Sequence, residues 1–234
     1  MPWLSVVIPV LNDVAAADLL LRQIEPLPQV EVFIVDGGSD ARLDRVADTR
    51  PGTRVLRTSA GRARQMNAGA REATGEWLLF LHADSELPAG WRDAMAGLSA
   101  DAIGGWFEFA LDDPAWQARA IERLVRWRVR VLRLPYGDQG LFVRRAAFNE
   151  LGGFADLPLL EDVEFVRRLV GAGPVAEVPL PLRTSARRWR RDGWFRRSAR
   201  NSLIVTLYFA GVSPTRLARW YVPGAPKRSR EGGR

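Results

Sequence analysis

Strand-like and helix-like stretches alternate along the first hundred residues, and this alternation constrains the fold more than any other feature. Trp3 to Pro9 reads as a strand and Val14 to Ile24 as an amphipathic helix, with Asn12 or Asp13 as its N-cap. Val30 to Val35, Arg54 to Thr58 and Trp77 to Leu81 supply three more strands. Between them, Ala41 to Ala47 and Ala63 to Thr74 read as helices, the second stopped by Gly75. A β-α-β series of this kind calls for an α/β architecture of three layers, with a mostly parallel central sheet between helices.

The second half is less regular. Gly104 to Ala110 reads as a strand, about Pro114 to Arg133 as a long Arg-bearing helix, Glu161 to Val170 as a helix, and Trp194 to Phe209 as a last amphipathic helix. Arg187-Arg188-Trp189 reads as a loop just before that last helix. At 234 residues with 47% hydrophobic content, one α/β domain with an extension fits better than two domains.

Composition removes several chemistries. Without cysteine there are no disulfides, thiolate metal sites or thiol nucleophiles. The opening Met1-Pro2-Trp3-Leu4-Ser5 lacks the basic region of a signal peptide. The longest late apolar run, Leu203 to Val212, has about half the length of a bilayer crossing. These points lead us to expect a cytoplasmic protein, with the inner face of the membrane as a candidate contact. The 34 basic against 27 acidic residues give +7, concentrated from Arg183 to Arg200, and Lys227 is the sole lysine. Arginine suits phosphate groups through its planar, permanently charged fork. Nucleotides, lipid headgroups and nucleic acids are all compatible with that charge.

Five short constellations could carry chemistry. The apolar run ending at Leu81 gives way to His82, the only histidine, and then to Asp84. An extended backbone puts residues 82 and 84 on one side, at a strand end where open α/β sheets bind ligands. A histidine serving only structure is the alternative; paired with Asp84, it reads as a contact for metal or diphosphate. Asp36-Gly37-Gly38-Ser39-Asp40 lets backbone approach a ligand and offers Asp36 to a base or ribose. It could equally be a turn in which Ser39 or Asp40 caps the next helix, and its spacing is not that of a P-loop or a dinucleotide fingerprint.

Arg62 and Arg64 stand in the first turn of a helix, where cations oppose the helix dipole unless an anion is bound. Two solvated arginines are the plainer reading, and Met66 reads as core. Glu161-Asp162 favours the dipole of its own helix, but a carboxylate at a cleft edge is also what deprotonates a hydroxyl. Arg188 beside Trp189 could clamp a diphosphate and stack on a sugar, or could equally touch a membrane surface or nucleic acid.

Taken in order, these pieces resemble the family 2 glycosyltransferases of the GT-A fold. The matching runs are Ser5-Val6-Val7-Ile8-Pro9-Val10-Leu11-Asn12, Asp36-Gly37-Gly38-Ser39-Asp40, Asn67-Ala68-Gly69 and Phe80-Leu81-His82-Ala83-Asp84-Ser85. Gly137-Asp138-Gln139-Gly140, Gly152-Gly153-Phe154 and Glu161-Asp162 follow, so the resemblance covers roughly residues 3 to 190. Within the family it is most similar to a compact bacterial branch associated with radical-SAM and selenium-domain genes.

The resemblance implies an enzyme that moves a sugar, with inversion and without processivity, from a nucleotide-diphosphate sugar, UDP-linked by preference, to a hydroxyl acceptor. It implies nucleotide-sugar contacts from Pro9, Asn12, Asp36, Arg62, Arg64, Asn67, His82, Asp84, Arg188 and Trp189. Asp162 would be the catalytic base, with Asp138, Gln139 and Glu161 on the acceptor side. Asp84, with His82 beside it, would meet a divalent metal, Mn²⁺ or Mg²⁺. It also implies a glycosyltransferase domain over 1–190, its nucleotide-binding half at about 1–100 and its acceptor half at about 101–190. An amphipathic helical extension at 191–222 and a disordered basic tail at 223–234 would follow.

Three departures from the family pattern stand out. His82 replaces the first acid of the Asp-x-Asp motif, which either favours Mn²⁺ over Mg²⁺ or leaves His82 to hydrogen-bond ribose or phosphate. Gly37 replaces the usual second acid after Asp36, and Ser185 replaces the glutamine of the processive motif. A sugar nucleotidyltransferase is the nearest rival, but the loop after the first strand lacks its basic residues. A basic membrane-surface protein is the other rival, because Trp116, Trp127 and Trp194 stand among arginines. A lipid-linked acceptor and an anionic membrane surface are therefore candidate partners, and nucleic acid is not.

Overall fold

The run Leu4–Val10 becomes the central strand β1, and the sheet extends from it in both directions. The computed structural model describes residues 2–38 and 42–221. The tail expected at 223–234 and the Ser39 or Asp40 cap lie outside the described residues. Strands β2 (Val30–Asp36) and β4 (Trp77–Phe80) flank β1 in parallel, and β3 (Thr53–Arg57) lies parallel beyond β2. On the far side of β4 come β7 (Phe142–Arg144), β6 (Gly104–Leu111), β8 (Val175–Thr184) and the short edge strand β5 (Ser85–Glu86). The order across the sheet is β3-β2-β1-β4-β7-β6-β8-β5.

The sheet is parallel through the first four strands and mixed beyond them. Strand β7 runs antiparallel to both β4 and β6, β5 runs antiparallel to β8, and β6 and β8 are parallel to each other. Neither β7 nor β8 is visible as a sequence pattern, for different reasons. The first spans three residues, too few to show a period. The second carries Pro179 and Pro181, which argue against a strand because proline cannot donate to a ladder. The structure accommodates both at an irregularity. Phe107 pairs with Val178 while Glu108 pairs with Pro181, so Pro179 and Leu180 are left out of register as a bulge.

Both faces of the sheet are covered. One face buries Val6, Ile8, Ile34 and Leu79 under α1 (Val14–Gln23), α2 (Arg42–Asp48) and α4 (Trp91–Ala96). The other buries Val7, Phe33, Leu78 and Phe80 under α3 (Arg62–Glu72), α6 (Arg145–Glu150) and α7 (Glu161–Ala172). This two-sided burial explains why β4 reads as an unbroken apolar run, and β1 as one interrupted only by the buried Ser5, rather than as alternating strands. A third cluster joins Trp106, Val129, Val163, Ile204 and Leu217, which brings α5 (Trp116–Leu132), α9 (Trp194–Phe209) and α10 (Pro214–Trp220) onto α7.

Four local expectations are corrected. Asp13 holds the N-cap position of α1, but its side chain makes no cap bond and instead accepts from Arg187 at 2.8 Å. Helix α3 ends at Glu72 with Ala73 as its C-cap, so Gly75 does not stop it. Arg187-Arg188-Trp189 is not a loop but the start of a short helix, α8 (Arg187–Asp192). Trp194–Phe209 is not the last helix, because α10 follows it, opened by Ser213 and Pro214.

Candidate active site

Strand β4 ends at Phe80, and the chain then turns rather than continuing extended, with Ser85 N–H donating to the carbonyl of His82 at 3.0 Å. His82 and Asp84 therefore reach one cavity through a turn, not through strand alternation. That cavity, of about 110 Å³, is lined by Arg62, His82, Asp84, Tyr136, Asp138, Asp162, Thr184, Arg188, Trp189 and Arg197, among others. A larger neighbouring space of about 490 Å³ shares Arg62, His82, Asp84, Arg188 and Tyr221, and adds Pro9, Asp13, Gly61, Gln65 and Glu161. Together they form one cleft beyond the carboxyl ends of β1 and β4, the end where open α/β sheets place ligands.

Asp162 stands in the first turn of α7, where free backbone N–H groups favour a carboxylate. It accepts from its neighbour Val163 N–H at 2.8 Å and from Gly137 N–H at 2.6 Å. Gly137 opens a short 3-10 turn, Gly137–Gln139. A Cβ at position 137 would stand 3.1 Å from Asp162 Oδ2 and 3.3 Å from His82 Nε2. The glycine thus lets the chain pass between the carboxylate and the imidazole. Nε2 of His82 is buried with no hydrogen-bond partner among the described residues. Burial, with Arg62 and Arg188 nearby, holds the imidazole pKa well below its usual value, so the ring is neutral at pH 7.

Cations and carboxylates interleave across the cleft. Arg188 reaches Asp84 at 3.6 Å, and Arg62 reaches the buried Glu161 at 3.3 Å. Crowding works against the charge of Arg62, but Glu161, Asp162 and Asp138 outweigh it and hold its pKa above the usual value. Burial raises the pKa of Glu161 despite Arg62. Burial likewise pushes Asp138 up to about 6, with Arg128 opposing and Asp162 adding to the rise. The roof comes from α8 and α9: Trp189 is buried against Phe109, donates Nε1–H to Ser198 at 3.2 Å, and lies 5.1 Å from the Arg197 guanidinium. The Arg187–Asp13 pair ties this roof to the loop after β1.

The other residues singled out from the sequence lie around the cleft rather than on it. Asp36 is buried at the end of β2, where it accepts from Gly38 N–H at 3.0 Å. Asn12 takes a positive φ of 57° in the loop after β1, next to Pro9 and Asp13 of the larger space but turned to a separate hollow with Arg42. Arg64 points outward and pairs with Asp156 at 2.9 Å. Asn67 bonds both ways with the backbone of Phe154, at 2.7 and 2.9 Å, and so pins the Gly152-Gly153-Phe154 turn onto α3. Gln139 is buried and donates to the Phe107 carbonyl at 3.1 Å, which anchors the turn that carries Gly137.

Several lining residues gave no sequence signal. Gln65 donates to the carbonyls of Val10 and Val35, both at 2.8 Å, and so joins the ends of β1 and β2. Tyr136 lies under the Arg128 guanidinium at 3.5 Å. Tyr221 closes the cleft from the C-terminal side; the Ser213-Pro214 start of α10 was the available clue to it.

A cleft of this composition, on a sheet of this order, defines a GT-A-like α/β fold of the glycosyltransferase kind. The chain belongs to glycosyl transferase family 2, whose model matches residues 5–148, more than half its length, and it is a glycosyltransferase. It is 28% identical to an uncharacterized protein of Mycobacterium tuberculosis, over 95% of this chain and 82% of that one. A shorter stretch of 94 residues is 39% identical to a PGL/p-HBAD biosynthesis glycosyltransferase of Mycobacterium bovis, and covers 37% of each chain. Among solved structures, the mannosyltransferase PcManGT of Pyrobaculum calidifontis, in complex with GDP-Man and Mn²⁺, superposes with a TM-score of 0.68. It is 20% identical, and the match covers 93% of this chain and 67% of that one. TarS of S. aureus in complex with UDP-GlcNAc superposes at 0.61 with 16% identity, over 79% of this chain and 58% of that one. At such identities the likeness is one of fold.

Proposed function

We propose that the cleft transfers a glycosyl unit, with inversion and one unit at a time, from a nucleotide-diphosphate sugar to a hydroxyl acceptor. The donor lies along Pro9, Asp13, Gln65 and Arg62, with uridine as the expected base and Asn12 and Asp36 at the base end. Its diphosphate meets Arg62 and Arg188, whose charge offsets the charge that grows on the leaving group. The acceptor enters from the Tyr136–Asp138 side. Asp162 takes the proton of its hydroxyl, which attacks the anomeric carbon from the face opposite the diphosphate. The observation that carries this reading is the position of Asp162, anchored by Gly137 N–H and facing the cavity that also holds His82, Asp84 and Arg188.

A divalent cation fits this reading as an ion shared with the donor. Among the described residues no three His, Cys, Asp or Glu side chains converge as ligands. The chain would hold it through Asp84 and the unpartnered imidazole nitrogen of His82. An imidazole donor favours Mn²⁺ over Mg²⁺. Such an ion would neutralise charge on the departing diphosphate.

No described helix is long and apolar enough to cross a membrane. Placement in the branch associated with radical-SAM and selenium-domain genes is part of the same proposal and is checked by gene neighbourhood. The direct test is Asp162→Asn, assayed with a panel of nucleotide sugars. Nucleotide binding should stay within about twofold while turnover falls by about 10²–10⁴; unchanged turnover removes Asp162 as the base.

A further inference from the structure

A third hollow, of about 390 Å³, lies between α5 and α9 and opens into the acceptor side of the cleft. It shares Tyr136, Asp138, Trp189, Asn201 and Val205 with the catalytic cavity. Away from that junction the wall of Phe109, Ile121, Leu124 and Val125 and the far end at Phe209 are apolar, while α9 adds the small hydroxyls of Ser198, Ser202 and Thr206. Trp116 and Phe195, with ring centroids 5.8 Å apart, join the two helices near their starts. A hydroxyl acceptor needs no such channel unless it carries an apolar chain.

The outer face of α5 supplies a second, independent observation. Arg119, Arg123, Arg126 and Arg130 recur at intervals of four, three and four residues, so they share one face. Trp116, Leu124, Trp127 and Val131 form an adjacent stripe, and all four are more than half exposed. Arg123 and Arg130, like Arg133 just after α5 and Arg196 in the first turn of α9, have no acidic partner among the described residues. Exposed aromatic and aliphatic side chains beside unpaired cations match the chemistry of an anionic lipid surface.

Resting on the transferase reading above, we propose that the acceptor is a membrane-derived amphiphile. Its apolar chain lies in the α5–α9 groove and its hydroxyl head reaches Asp138 and Asp162. The arginine row on α5 meets the anionic headgroups around it. Burying a chain in this groove gives affinity that grows with each methylene, while the reacting head stays the same.

The test uses the full chain and methyl, butyl and octyl glucosides below micellar concentration, with binding followed by saturation-transfer NMR. Affinity should rise by about fourfold per methylene until the groove is full. Leu124→Gln and Phe209→Gln lie at exposed positions and should leave the melting temperature unchanged. Each should weaken octyl glucoside binding about tenfold and leave UDP binding alone. Vesicles containing anionic lipid should sediment with the protein at low salt, and Arg123→Gln/Arg130→Gln should reduce the bound fraction severalfold. Binding independent of chain length, or insensitive to both groove variants, overturns the proposal. Asp162→Asn separates it from the transferase reading, because that variant should lose transfer but keep the chain-length dependence.

Discussion

The carboxylate of Asp162 accepts the backbone N–H of Gly137 at 2.6 Å, and the missing side chain at 137 leaves His82 Nε2 facing the same point. Two elements far apart in sequence, the turn after β4 and the start of α7, are brought into register by a third, the Gly137–Gln139 turn, whose contacting residue has no side chain. Gly137 is in turn held by Gln139, which reaches back to the Phe107 carbonyl on β6. The placement of Asp162 thus depends on sheet and turn as well as on its own helix.

Gly137→Ala is expected to disturb this arrangement without unfolding the protein. A Cβ 3.1 Å from Asp162 Oδ2 and 3.3 Å from His82 Nε2 forces one of them to move by a few tenths of an ångström or more. Because small displacements of reacting groups are costly, kcat should fall by about 10²-fold. Nucleotide binding and the melting temperature should change little. Steady-state kinetics beside a thermal melt checks this, and a normal kcat would show that the contact has slack.

His82→Asp puts a carboxylate where the imidazole stands and replaces a neutral ring by a charge. Two carboxylates favour Mg²⁺ more than a carboxylate and an imidazole do. The variant should therefore bind UDP more tightly with Mg²⁺ than the parent does, and the preference for Mn²⁺ over Mg²⁺ should shrink. Fluorescence titration of UDP with each metal in turn reads this directly, and an unchanged ratio would remove His82 from the ion's surroundings.

Asp138 gives a pH dependence whose sign can be worked out. Its folded pKa is pushed up from 3.8 to about 6 by burial. Between those values the folded chain binds more protons than the unfolded one, so this group's contribution falls as pH rises through the window. At pH 8 the ionised carboxylate costs on the order of 1–2 kcal/mol relative to pH 4. Asp138→Asn should remove that cost, so the variant should be more stable than the parent at pH 8 and nearly equal to it at pH 4. Buried His82, with its lowered pKa, acts in the opposite direction below pH 6.5. The measurement is therefore the difference between variant and parent in urea unfolding at each pH, in metal-free buffer.

What the sequence makes legible is what repeats or ends abruptly. The strands β1, β2 and β4 stand out because burial on both faces keeps them almost wholly apolar, with only Ser5 inside β1 and Glu31 near the start of β2 as interruptions. The turn at His82–Ser85 stands out because polarity changes within one residue. The roles of Arg64 and Asn67 are not legible, because an arginine paired with Asp156 reads the same as one facing a phosphate. Nor are Gln65 and Tyr221, whose importance comes from which backbone or cavity they reach after folding. Strand β8 is hidden because its prolines sit at a bulge, a feature defined by its partner strand rather than by its own composition.

Gly75 shows the same limit and leads to a test of the fold itself. After a helical stretch a glycine suggests a left-handed cap, yet helix α3 has already ended and no positive φ occurs at residue 75. The requirement there is space. A Cβ would lie 2.6 Å from Ser5 Oγ and 2.8 Å from the backbone of Leu4, where Gly75 N–H donates to Ser5 Oγ at 2.9 Å. Ser5 in turn donates to Glu31 at 2.6 Å, and Thr74 N–H donates to the same carboxylate. Those bonds hold the Glu31 pKa below its usual value despite burial. Gly75→Ala should push the start of β4 away from β1 and cost about 1–3 kcal/mol. Ser5→Ala should leave the packing intact and lose only hydrogen bonding, about 1 kcal/mol. Urea unfolding of the two variants should rank them in that order, and equal stabilities would mean that the loop before β4 can move aside.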